Sequence, residues 1–105
     1  MGTEPLFELG CTVATPAALA ALEESQESGF TYLTWHLHGR WGDLTYGDML
    51  ANEYAVKNGG RVLSAYRLKT GTRIHIITDA AGDDGKRAST CVRLPSDYVG
   101  LIRHP

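Results

Sequence analysis

The stretch "WHLHGRWGDL", residues 35–44, gathers two histidines, an arginine, an aspartate and two glycines. His36, His38 and Asp43 could offer nitrogen and oxygen ligands to a divalent cation if the bend folds back on itself. That chemistry needs both imidazoles on one side. On a strand, residues two apart share a face; on a helix they diverge by about 200°. The ordinary structural alternative gives His36 a backbone carbonyl as partner and lets Asp43 cap a tight turn. On this balance the sequence leads us to expect neither a metal nor another cofactor.

A second constellation joins His36 to the polar residues of a later segment, Ser64, Tyr66, Arg73 and His75, with Thr90 nearby. A histidine of near-neutral pKa beside a cation suits metal-independent phosphodiester cleavage. One group takes a 2′-hydroxyl proton, another protonates the leaving oxygen, and Arg73 or Arg87 stabilises the phosphorane charge. The plain counter-reading is that any sheet with one wet face displays Ser, Tyr, Arg and His there. Asp48 and Asn52, four residues apart and so on one helix face, are explained by capping and by a bond to the preceding loop.

Several elements must position these groups. In "LFELGCTVA" Phe7, Leu9, Cys11 and Val13 fall on one parity, as in a strand with one buried face. Thr15 offers an N-cap, Pro16 the favoured first helical position, and Gly29 a left-handed end to that helix. Residues 30–38 carry two signals: aromatic and threonine content favours a strand, while Leu33, His36 and Leu37 followed by Gly39 suit a short helix, the reading preferred here. "GRWGDL" is then a tight connection. In "TYGD" Thr45 and Asp48 match a capping box opening a second well-marked helix through Val56, which "KNGG" closes.

From Arg61 the period changes to two, and "RVLSAYRL", "TRIHIITD" and "STCVRLP" read as strands. A two-residue loop at Thr70–Gly71 would set Tyr66 opposite His75 and Ala65 opposite Ile76. Leu63, Ala65, Ile74 and Ile76 would then pack under the helices, with Ser64, Tyr66, Arg73 and His75 on the wet face. "STCVRLP" could offer an exposed edge for dimerisation by strand pairing.

The 105 residues suit a single small globular domain spanning 1–105, and 43% hydrophobic and 21% charged residues are globular values. Cys11 and Cys91 form no metal or redox pair and read as small core residues. No segment approaches a membrane span, and "MGTEPLFEL" lacks the regions of a secretory signal, so a cytoplasmic protein without a membrane partner is expected. Every charge from Glu4 to Glu27 is acidic and every one from Lys57 to Arg73 is basic, yet the net charge of −2 speaks against a dedicated duplex-DNA binder. P-loop, Rossmann, H-E-x-x-H and nucleophile-elbow patterns are absent.

Taken together, His36, Gly39, Trp41-Gly42-Asp43, Asp48, Asn52, "RVLSAY", "IHIIT", Thr90 and "LPSDY" form a recognisable order. From Phe7 to Tyr98 the chain resembles a family of short proteins carried on plasmids, phages and integrative elements. Their pattern reads "H-x-x-G-D-W-G-D-L", "D-x-x-x-N", "R-I-L-S-A-Y", "I-W-I-I-T" and "L-L-P-x-E-Y". This chain departs from it at Arg40, where the family has an acid, and at His75, where it has tryptophan. The resemblance implies helix for residues 30–38 and a place on a mobile element.

The expected fold is α+β: an N-terminal strand, two to three helices, then a three- to four-stranded antiparallel sheet. The expected function is that of a non-enzymatic accessory protein of a mobile genetic element. It would bind a protein or nucleic-acid partner through the sheet face or the 79–88 loop, with His75, Asp43, Arg87 and Thr90 as candidate contacts. The alternative is a metal-independent ribonuclease or toxin-like enzyme using His36, Ser64, Tyr66 and Arg73.

Overall fold

The computed structural model describes residues 4–97. The closing "LPSDY" therefore runs past what is described, and Tyr98 lies outside the described residues.

The chain order is β1 (Cys11–Ala14), α1 (Pro16–Ser25), α2 (Gly29–Leu37), α3 (Tyr46–Asn58), β2 (Val62–Arg67), β3 (Arg73–Thr78) and β4 (Ser89–Arg93). The α+β expectation holds, with residues 29–37 helical. The sheet is mixed rather than wholly antiparallel: its order is β1-β4-β3-β2, and β1 runs parallel to β4. Consequently "STCVRLP" is no free edge, because β4 is paired on both sides.

Local chemistry explains the helix ends. The Thr15 side chain accepts from the Ala18 amide, and Pro16 takes the first turn of α1. That helix stops earlier than Gly29 suggested, because Gln26 adopts the left-handed conformation and its amide returns to Glu23 and Leu22. Gly29 instead opens α2, with Ser28 as N-cap. Thr45 caps α3 through the Asp48 amide, and α3 runs to Asn58 before Gly59 turns left-handed.

The β2–β3 hairpin corrects a prediction. The loop contains three residues, Lys69 to Gly71, because the Leu68 amide bonds the Thr72 carbonyl and the Gly71 amide returns to Leu68. Gly71 supplies the positive φ that closes it. Glu27 holds this loop from α2's side, accepting the Lys69 amide at 2.9 Å. The extra residue slips the register by one: Ala65 pairs with His75 and Tyr66 with Ile74. One slip exchanges the faces of a strand. Ser64 and Tyr66 thus turn inward beside Ile74 and Ile76, while Leu63 and Ala65 share the outward face with Arg73 and His75.

The core lies between the inward face and the helices. Ala18, Ala21 and Leu22 of α1 and Tyr32 of α2 pack on Tyr66, Leu68, Ile74, Ile76 and Val92. Trp41, anticipated as an anchor, packs with Ala55 and Val62, and Phe7 closes over them. On β1 the parity is reversed from the expectation: Cys11 is exposed and Val13 47% exposed, because they align with Ser89 and Cys91 on the outward face. Cys91 is half-buried, so neither cysteine is a core residue.

The outer edge of β2 is sealed. Asn52 of α3 donates to the Leu63 carbonyl at 2.6 Å and accepts its amide at 3.0 Å. Alongside, the Ala65 amide bonds the Trp41 carbonyl and the Asp43 amide bonds the Ala65 carbonyl. Gly42 makes that approach feasible: its φ is +81°, and a Cβ there would overlap the Ala65 carbonyl oxygen. Asn52 therefore ties α3 to β2, not to the preceding loop.

Candidate functional site: a buried histidine relay and an uncovered sheet face

Residues named together from the sequence divide between the two faces of the sheet. His36, Ser64, Tyr66 and Thr90 lie on the helix side, all buried. Arg73 and His75 lie on the other side, at half-buried outward positions of β3. No single cleft contains His36, Ser64, Tyr66 and Arg73.

Inside, α2 delivers His36 to the sheet with none of its surface exposed. Its partners are hydroxyls rather than the backbone carbonyl expected. Nδ1 lies 2.5 Å from Ser64 Oγ and Nε2 2.9 Å from Thr78 Oγ1. Thr78 Oγ1 is in turn 2.7 Å from Thr90 Oγ1, which donates to the Leu9 carbonyl at 2.7 Å. A carbonyl only accepts, so the single Thr90 proton goes to Leu9 and Thr78 must donate to Thr90. Thr78 oxygen then accepts from His36 Nε2–H, leaving Nδ1 bare to receive the Ser64 proton. The relay has one direction, from Ser64 through His36, Thr78 and Thr90 to Leu9.

A roof of rings covers this relay. Phe7 meets the imidazole edge-on at 5.1 Å between centroids and Trp41 at 6.1 Å. Burial, with the Arg87 guanidinium adding its charge, pushes the His36 pKa down to about 3. The ring is neutral at physiological pH. Arg87 itself is committed to structure: it donates to the carbonyls of Gly60, Asp79 and Ala55, and lies 5.5 Å over the Phe7 ring. It thereby closes the carbonyl end of α3, where a cation is favoured.

Tyr66, also inside, donates to the Arg40 carbonyl at 2.6 Å, and burial pushes its phenol up to about 12. Its ring packs at a tilt against Tyr32 and Trp35. Arg40 sits 4.7 Å over the Trp35 ring.

Outside, no helix among the described residues covers the other face of β2–β4. Both core clusters draw only on inward residues of these strands. Strand register fixes its rows: Arg67 beside Arg73, then Ala65, His75 and Arg93, then Leu63, Ile77 and Cys91, with Val13 at the end. The face is basic at one end and aliphatic at the other. Asp43 borders it, accepting from Arg73 Nη1 at 2.8 Å with Arg67 at 3.9 Å, and so steadies the corner rather than capping a turn. Burial lowers the His75 pKa, as do the charges of Arg73 and Arg93.

No family model, curated protein or solved structure matches this chain.

The first grouping, around His36, is chemically a nucleophile–base pair without access. A ring that touches Ser64, Thr78, Phe7 and Trp41 has no room for a substrate phosphate within the ~3 Å that proton transfer requires. As for metals, His38 Nδ1 donates to the Thr34 carbonyl at 2.8 Å, while both His36 nitrogens are engaged. Among the described residues no group of three or more His, Cys, Asp and Glu side chains is arranged to hold a metal ion. The second grouping is partly exposed, with Arg67 open to solvent, Ala65 buried and the rest half-buried, and Arg67, Arg93, Leu63 and Ile77 were missed in it. The signal that exposes them is the Lys69–Gly71 loop length, which fixes which parity of β2 faces out.

Proposed function

We propose that this protein is a non-enzymatic binding module of a mobile genetic element, and that it docks an acidic protein segment on the uncovered sheet face. The observation carrying this reading is the row structure of that face: Arg67, Arg73, His75 and Arg93 adjoin Leu63, Ile77 and Cys91. Opposed charge steers and orients a partner, while aliphatic side chains contribute burial. Mobile-element origin rests on the resemblance of the His36–Asp43, "RVLSAY" and "IHIIT" segments to proteins of such elements.

A protein is favoured over nucleic acid on two grounds. Single strands are held on aromatic platforms, and none of the outward positions of β2–β4 is Phe, Tyr or Trp. The chain also carries a net charge of −2. Among the described residues no helix is long and apolar enough to cross a membrane. A ribonuclease reading would require His36 at the surface, and full burial weighs against it. Total RNA incubated with the protein in EDTA should stay intact, for wild type and His36→Ala alike.

The test is a random-peptide display selection against the wild type, counter-selected with an Arg67→Glu/Ile77→Glu double variant. Enrichment of peptides combining Asp or Glu with branched aliphatics, and loss of their binding in the variant, is the expected result. Peptides that bind both proteins equally, or saturable oligonucleotide binding lost in the variant, would overturn it.

A further inference from the structure

Helix α3 is apolar on two sides. Its inner side places Asn52 and Ala55, with Met49 and Val56, against β2 and Trp41. Its outer side carries Tyr46, Leu50 and Tyr54, which are 76%, 47% and 70% exposed. Spacing of four residues puts the three in one row. A helix that packs on one side should be polar on the other. Scattered surface hydrophobes are ordinary, but a continuous row with two aromatic rings is the composition of an interface core.

We propose that this row is the contact of a homodimer in which two α3 helices pack antiparallel across a two-fold axis at Leu50. Tyr-x-x-x-Leu-x-x-x-Tyr reads the same in both directions. Antiparallel packing therefore sets Leu50 on its own copy and Tyr46 on the partner's Tyr54. An isologous interface demands this self-complementarity. Charge chooses the orientation. Glu53 and Lys57 flank the row on the helix surface, and parallel packing would set each against its own like charge. Antiparallel packing sets Glu53 opposite the partner's Gly47, where a Cβ would meet nothing nearer than the Thr45 hydroxyl at 4.0 Å.

Area is sufficient for a modest dimer. With about 200 Å² for a tyrosine and similar for leucine, the row exposes roughly 350–400 Å² per copy, or about 750 Å² for two. Gly47, Ala51 and the stems of Glu53 and Lys57 bring the total near the ~1,000 Å² of a specific contact. The affinity that follows is micromolar rather than nanomolar. Because α3 lies on the helix side of the sheet, pairing through it leaves both outward sheet faces open. This inference does not depend on the docking function above.

Sedimentation equilibrium of the full chain over about 1–200 μM tests it. The wild type should pass from one to two chain masses across that range. Leu50→Glu and Tyr54→Lys should each remain monomeric throughout, with unchanged far-ultraviolet circular dichroism; if Leu50→Glu fails to fold, Tyr54→Lys decides. Orientation is read by disulfide formation in a Cys11→Ser/Cys91→Ser background. A mixture of Tyr46→Cys and Tyr54→Cys chains should form the mixed cross-link in preference to either self-link. A wild type that stays monomeric at 200 μM, a dimer that survives both charge variants, or preferred self-links of Tyr46→Cys would overturn the proposal.

Discussion

Ser64 donates its hydroxyl hydrogen to Nδ1 of His36 across 2.5 Å, in a place where neither side chain reaches water. The direction of that bond follows from the far end of the relay, the Leu9 carbonyl, and it assigns the Nε2–H tautomer to His36. Nitrogen-15 spectra of the histidine ring should show Nδ1 in the unprotonated range and Nε2 in the protonated range from pH 8 to pH 5. The reverse assignment would break the argument for the whole relay.

The pH dependence of stability has a determined sign. The folded protein holds His36 neutral down to about pH 3, whereas the unfolded chain takes up that proton near pH 6.5. A depressed pKa in a base means that stability is fully present above about pH 6.5 and falls as pH drops toward 3. The slope from one such group approaches about 1.4 kcal/mol per pH unit. His75, also lowered, adds in the same sense. Unfolding free energies from urea titrations at pH 7.0 and 5.0 should differ by on the order of 2 kcal/mol in the wild type, and by much less in a His36→Gln/His75→Gln variant.

Ser64→Ala leaves the His36 Nδ1 lone pair buried without a donor, at a cost of about 1–3 kcal/mol. Ser64→Thr keeps the hydroxyl and should retain the Nδ1 nitrogen-15 shift even where its extra methyl lowers the melting temperature. Equal shifts in Ser64→Ala and wild type would show that the bond does not exist in solution.

Asn52→Ala should cost about 1–3 kcal/mol, because it removes both bonds that tie the Leu63 backbone to α3. Amide hydrogen exchange at Leu63 is the specific readout. It should accelerate more than exchange at Val62 or Ser64, and uniform acceleration along β2 would mean that Asn52 acts only through global stability.

Two glycines with positive φ should respond differently. Gly42→Ala drives a methyl into the Ala65 carbonyl and should abolish folding or cost more than about 3 kcal/mol. Gly71→Ala meets nothing within 4 Å and pays only for its backbone conformation, about 1 kcal/mol. Similar thermal denaturation curves for the two variants would refute the close approach of residues 41–43 to β2.

Much of this arrangement was legible before any coordinates. Thr15-Pro16, Thr45 and Gly59 announced two helices, because capping is chemistry local to a few residues. Trp41 was legible as an anchor because few other residues offer comparable apolar area. The site was read less well. Ser64 and Tyr66 looked wet because they are polar, yet the relay and the Arg40 carbonyl satisfy them inside. Their side of the sheet depends on one residue of loop length, settled by Glu27 reaching the Lys69 amide from 42 positions away. The parallel place of β1 was equally hidden, since a pairing across so much sequence leaves no periodic trace.

That late pairing bears on how the chain is made. The Leu9 carbonyl that ends the relay comes 81 residues before the Thr90 hydroxyl it serves. On the ribosome the N-terminal strand must wait, unpartnered, until β4 has emerged. The hairpin of β2 and β3 can form beforehand from neighbours in sequence, whereas closure of the first strand comes last. Removing the residues that lead into β1 should therefore leave a species with its hairpin formed and its interior polar chain open at one end.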